Sequence, residues 1–92
     1  MPSPFRLRCD AVRYRQGFVE TGNVHPGLVN IEVWEVDTAF SPLPAWVSDG
    51  SLPDTAIVGN IELELTPLQA RLLAESLLYA ASIAETQSQN FS

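Results

Sequence analysis

Acid–base or nucleophilic chemistry in this chain would have to come from few side chains: one histidine (His25), one cysteine (Cys9), eleven carboxylates and five arginines. There is no lysine, which removes Schiff-base chemistry, lysine general bases and lysine phosphate contacts together. His25 precedes Pro26-Gly27, a turn cluster. As a general base it would need an orienting acid and a nucleophile, and no triad signature surrounds it, so the turn reading is the stronger one. Cys9 lies in an alternating apolar run and reads as a small buried hydrophobe. A single cysteine makes no internal disulfide, and no zinc spacing of Cys and His is present. Glu62 and Glu64 sit two apart on one strand face, where they could hold a cation or an acid/base pair; solvated strand charges look the same, and a metal needs more ligands. The five glycines are scattered in single turns rather than gathered in a phosphate loop. These residues predict no catalytic, metal or cofactor site, and a protein that is not an enzyme.

The elements that would position such side chains belong to one domain, residues 1–92, with 1–4 and 87–92 expected to be flexible. A length of 92 residues, with 46% apolar and 17% charged, suits one compact core and is too hydrophobic for the disordered class. No apolar run approaches the ~18–20 residues of a membrane span, and the start Met1-Pro-Ser-Pro lacks the features of a signal peptide. The expectation is a soluble, cytoplasmic protein without a membrane partner.

Strict alternation marks residues 5–11 as a strand, with Phe5, Leu7, Cys9 and Ala11 on one side and Arg6, Arg8 and Asp10 on the other. The apolar phase moves to even positions at Val12, which predicts a bulge. Gln16-Gly17 and Thr21-Gly22-Asn23 flank Phe18-Val19, and read as a hairpin connection or a brief edge strand. Residues 28–37 form the clearest strand, again with a phase slip, from Val29, Ile31 and Val33 to Trp34 and Val36. Residues 41–55, with three prolines and a glycine, are a long loop carrying Leu43, Trp46, Val47 and Leu52. Residues 56–65 resume as a strand, with Ile61, Leu63 and Leu65 inward and Glu62 and Glu64 outward.

Thr66-Pro67-Leu68-Gln69 places a threonine N-cap, a proline at the first helical position and a glutamine three residues after the cap, a capping box. Good helix formers follow to about Glu85. Leu68, Leu72, Tyr79 and Ile83 fall on one stripe of this helix. Leu73, Leu77, Ala80 and Ala84, extended by Ala70, Ala74 and Ala81, fall on another. One sheet covers an arc of roughly 100°, and this helix offers more than twice that. The 4-3-4-3 spacing of Ala70, Ala74, Leu77, Ala81 and Ala84 is the heptad step by which two helices meet, so the second stripe calls for a homodimer or another protein's helix. The alternative is that the sheet and the tryptophan loop wrap both stripes within one chain. Trp46, stiffened by neighbouring prolines, is either a recognition anchor or a lid.

Charge is lopsided. Arg6, Arg8, Arg13 and Arg15 face only Asp10 within residues 5–16, whereas the rest of the chain carries ten acids against Arg71. An arginine strand could meet a nucleic-acid backbone. Pairing across the sheet with Glu32, Glu35, Glu62 or Glu64 is the stronger reading, since a net charge of −6 repels phosphates.

The run Ile61-Glu-Leu-Glu-Leu-Thr-Pro-Leu-Gln-Ala-Arg-Leu-Leu-Ala-Glu-Ser-Leu, with Val29 to Val36 before it, resembles small uncharacterised proteins of actinobacteria and their phages, in which strands precede a capped Leu-Thr-Pro-x-Gln-Ala-Arg-x-Leu-Ala helix. The resemblance covers about the last two-thirds of the chain and brings no catalytic residues. It implies a small accessory protein that acts by binding.

The expected architecture is therefore α+β: an antiparallel sheet of three or four strands with one C-terminal helix packed on one face. The expected function is that of a protein-binding module, a homodimer that regulates or inhibits a larger assembly through Trp46, Leu43, Leu73, Leu77, Ala70, Ala74, Ala81 and Ala84. The alternative is a nucleic-acid-associated regulator using Arg6, Arg8, Arg13 and Arg15.

Overall fold

Strands β1 (Phe5–Val12), β2 (Arg15–Gly22), β3 (Val29–Val36) and β4 (Ile57–Leu65) follow in chain order, and the helix α1 (Pro67–Phe91) comes last. The computed structural model describes residues 5–45 and 50–91, with side chains described to residue 88. The strands form one antiparallel sheet in the order β1-β2-β3-β4, so each neighbour in sequence is a neighbour in space. The α+β class and the antiparallel sheet agree with the patterning. β2 corrects the reading of residues 16–22 as a connection or an edge. It is a full inner strand paired on both sides, although its glycines and turn-forming flanks disguise it.

Register determines which side chains share a face. Rows Phe5–Thr21–Ile31–Leu63 and Leu7–Val19–Val33–Ile61 lie on one face, followed by the row Cys9–Gly17–Glu35–Gly59, small at every position but Glu35. The opposite face carries Arg6–Glu20–Glu32–Glu62 and Arg8–Phe18–Trp34–Asn60, with Gln16 beside Val36. We call these the odd and even faces. The register of β1 against β2 shifts between Cys9 and Val12, where the phase slip predicts it. In β3 the slip has a second cause. Pairing with β2 is unbroken, and Trp34 and Val36 are apolar because the even face is covered at that end.

The cover is the segment between β3 and β4. Its ends are tied where the Asp37 amide donates to the Ala56 carbonyl at 2.8 Å. Asp37 Oδ1 accepts from the Ala39 amide, which starts the turn, and the Ser41–Pro42 peptide is cis. From this segment Leu43 and Ala56 bury against Phe18 and Val36, with Phe40, Leu52, Trp34 and Ile57 around them. The Gln16 side chain, itself buried, donates to the carbonyls of Asp37 (3.0 Å) and Phe40 (3.4 Å) and so pins the segment to β2. From β1, Arg8 adds a bond to the Leu43 carbonyl at 3.3 Å. The indole N–H of Trp34 is buried with no partner among the described residues, a cost of about 1–3 kcal/mol that burial of the ring offsets.

The capping box forms as read. The Gln69 amide donates to Thr66 Oγ1 at 3.1 Å and the Thr66 amide to Gln69 Oε1 at 2.9 Å. The helix runs on past Glu85 to Phe91, because no proline or glycine stops it. Its placement corrects the expectation of packing on the sheet. Residues 71–88 are exposed throughout, and the main contact of α1 with the sheet is a small one on β4. The cause is the joint. Thr66 alone separates β4 from α1, and a connection shorter than the usual ~2–6 residues leaves no slack to turn the helix back over its own sheet.

β2 and β3 approach closely at Gly17, where a Cβ would collide with the Trp34 carbonyl oxygen. Gly17→Ala is therefore expected to cost about 3 kcal/mol or to prevent folding, read as a lowered urea midpoint. Gln16→Ala strands two carbonyls of the cover and is expected to cost ~1–3 kcal/mol, with earlier proteolytic cleavage within residues 37–56 than at the strands.

Candidate functional site

The surface that stands out is apolar and open. Four apolar side chains are fully buried in the core among the described residues, whereas sixteen large ones are at least 36% exposed. The exposed ones gather in two places. On the odd face Phe5, Leu7, Val33, Ile61 and Leu63 are uncovered, and its charged strand positions, Arg15 and Glu35, lie at one end. On α1, Leu68, Leu72, Leu73, Leu77, Tyr79 and Ile83 all face solvent. At the small-residue end the odd face hollows into a cavity of about 520 Å³ bordered by Cys9, Ala11, Val12, Gly17, Val19 and Val33.

The whole chain bears the same mark. Its accessible surface is 7097 Å², about 1,800 Å² above the roughly 5,300 Å² of a compact folded chain of this mass. Its radius of gyration is 15.2 Å, against about 12 Å for a compact domain.

Of the residues read as a contact surface, Leu73, Leu77, Ala74, Ala81 and Ala84 are exposed on α1 and Ala70 is half-buried near the joint. The structure places Leu43 in the core, 4% exposed, because the segment after β3 turns it down onto Phe18 and Val36. It is a lid residue and not a contact residue. Trp46 lies outside the described residues. The feature that sequence reasoning missed is the openness of the odd face. Ile61, Leu63 and Leu65 read as inward, and the signal against it was the single residue between β4 and α1.

The arginines do not form one patch. Arg6 pairs with Glu20, its direct cross-strand neighbour, at 3.2 Å. Arg8 lies 3.8 Å from Asp10 and bonds the Leu43 carbonyl. Cross-strand pairing is thus observed for Arg6, with Glu20 as a partner outside the glutamates read from sequence, whereas Asp10 is a neighbour of Arg8 on β1 itself. Arg13 and Arg15 flank the exposed Tyr14 at the β1–β2 turn. Cys9 is exposed on the odd face rather than buried, and His25 lies 3.5 Å from Glu64, which also accepts from Asn30.

The polar half of the even face has one internal tension: Glu20, Glu32 and Glu62 stand directly opposite one another on three strands. Arg6 relieves Glu20, and Asn60 donates to Glu32 at 3.2 Å. Among the described residues no group of three or more metal-ligating side chains gathers closely enough to hold a metal ion, and no helix is long and apolar enough to cross a membrane. No family model, curated protein or solved structure matches the chain.

Like charges facing across strands destabilise a sheet by ~0.2–1 kcal/mol, and salt screens the effect. Glu62→Arg is expected to raise the unfolding free energy by about 0.5 kcal/mol at low salt and by less at 0.5 M salt, measured by urea denaturation.

Proposed function

We propose that this chain is a non-enzymatic protein-binding module that works as a homodimer. One observation supports the reading: a single chain leaves both an apolar sheet face and an apolar helix uncovered. The surplus of roughly 1,800 Å² matches the ~1,000–2,500 Å² per partner that obligate dimers bury. Side chains of this size left wet forfeit on the order of 1.5–3 kcal/mol each, and the whole stability of a domain is only about 5–15 kcal/mol. A lone chain therefore gives up stability comparable to its total, and association recovers it. The dimer then presents its lidded even faces to a larger assembly, which it regulates or inhibits by occupying a surface.

The second reading, a nucleic-acid-associated regulator, draws on the Arg13-Tyr14-Arg15 tip, where an exposed tyrosine is flanked in sequence by two exposed arginines. Against it stand the −6 net charge and the engagement of Arg6 and Arg8 within the sheet. Binding to single-stranded DNA that weakens as salt rises would favour it over the first reading.

Sedimentation equilibrium is expected to give about twice the 10.1 kDa mass of the chain, with Leu77→Glu shifting the distribution toward monomer. A mass of one chain for the unaltered protein would overturn the dimer.

A further inference from the structure

The odd face requires a cover that this chain cannot supply from its own helix, since Thr66 alone joins β4 to α1. The cover must match an apolar surface that is hollowed at the Cys9–Gly17 end, where Arg15 and Glu35 border it as charges of opposite sign. We infer that it is α1 of a second copy, exchanged reciprocally so that each sheet receives the other chain's helix. The inference rests on the homodimer reading and gives it an architecture.

Three observations support it. The first is length. The apolar span of α1 from Leu68 to Ile83 covers about 23 Å at 1.5 Å per residue, and an eight-residue strand such as β1 or β3 covers about 26 Å. The second is complementary relief. Leu68, Leu72, Tyr79 and Ile83 form a stripe of large side chains, and the odd face has a hollow of about 520 Å³ where Cys9, Ala11 and Gly17 leave room. The third is the remaining stripe. With the large side chains on the partner's sheet, Ala70, Ala74, Leu77, Ala81 and Ala84 face away from it, and small side chains at that spacing suit the approach of the two helices to each other. The layers then run sheet, helix, helix, sheet. Arg71, Glu75, Ser82 and Glu85, with Leu78 among them, make a separate strip, and Glu75 alone of its charges borders the large stripe, beside Leu68.

Cys9 makes the arrangement testable, because the only thiol of the chain lines the hollow. Leu72→Cys, Tyr79→Cys and Ile83→Cys, each in the full chain with Cys9 kept, are treated with a short bismaleimide and run on a denaturing gel. At least one is expected to give a covalent dimer that vanishes when Cys9→Ser is added. Using three positions guards against a variant that does not fold, which circular dichroism identifies. A covalent dimer that survives Cys9→Ser means the large stripe meets its own copy, and overturns the exchange. So does a bridge formed at monomer mass, which would place α1 on its own sheet. So does a Cys9–Cys9 dimer of the unaltered chain, or no bridge in any folded variant. In these cases a dimeric mass by sedimentation leaves the homodimer standing while its architecture falls, and a monomeric mass removes both.

Discussion

A strand that passes into a helix through one residue commits the two elements to diverge. The capping box fixes this commitment locally: Thr66 and Gln69 satisfy each other's amides within the first turn, so the helix begins at Pro67 and not later. Residues that might have served as a flexible connection are already wound. Everything unusual about the molecule follows from that junction. The odd face stays open, the helix stays bare, and a chain of ordinary apolar content buries few of its large side chains. The local signals are strong, and what they build is an element without a neighbour.

The even face shows how the same sheet closes elsewhere by different means. Its end near β2 Gln16 and Phe18 is sealed by a segment with little regular structure, held by one buried amide and one guanidinium rather than by a ladder. That solution suits a proline-rich sequence, which cannot donate continuous backbone bonds. Its other end is left to water, and there Arg6, Asn30 and Asn60 moderate a row of carboxylates. One face therefore carries both the core and the acidic surface, and the division falls between the row of Phe18 and Trp34 and that of Glu20 and Glu32.

Much of this was legible in the residues. Alternation located β1, β3 and β4, the phase slip at Val12 located the irregularity of β1, and Thr66-Pro67 with Gln69 located the helix start. β2 was not legible, because Gly17 and Gly22 look like turns. Gly17 is there since the β3 backbone passes too close for a Cβ, which is a tertiary demand invisible in the strand's own pattern. The end of α1 was misjudged because residues 86–92 are polar and without a period, and a loss of periodicity does not end a helix that meets no proline or glycine. The site was half legible. Two apolar stripes on α1 were read as more than one sheet can cover, and both are bare, whereas the odd face of the sheet was read as inward and is open. Periodicity says that a side chain must be covered but not which chain covers it.

If a second copy dries the odd face, as proposed above, stability takes on another meaning for this protein. When the layer that dries a sheet arrives from another molecule, folding becomes bimolecular, and its free energy carries a logarithm of concentration. Dilution then acts as a denaturant. On the proposed homodimer, a cell making few copies would hold them open and vulnerable to proteases, and one making many would hold them closed, so that abundance itself would set the lifetime of the chain.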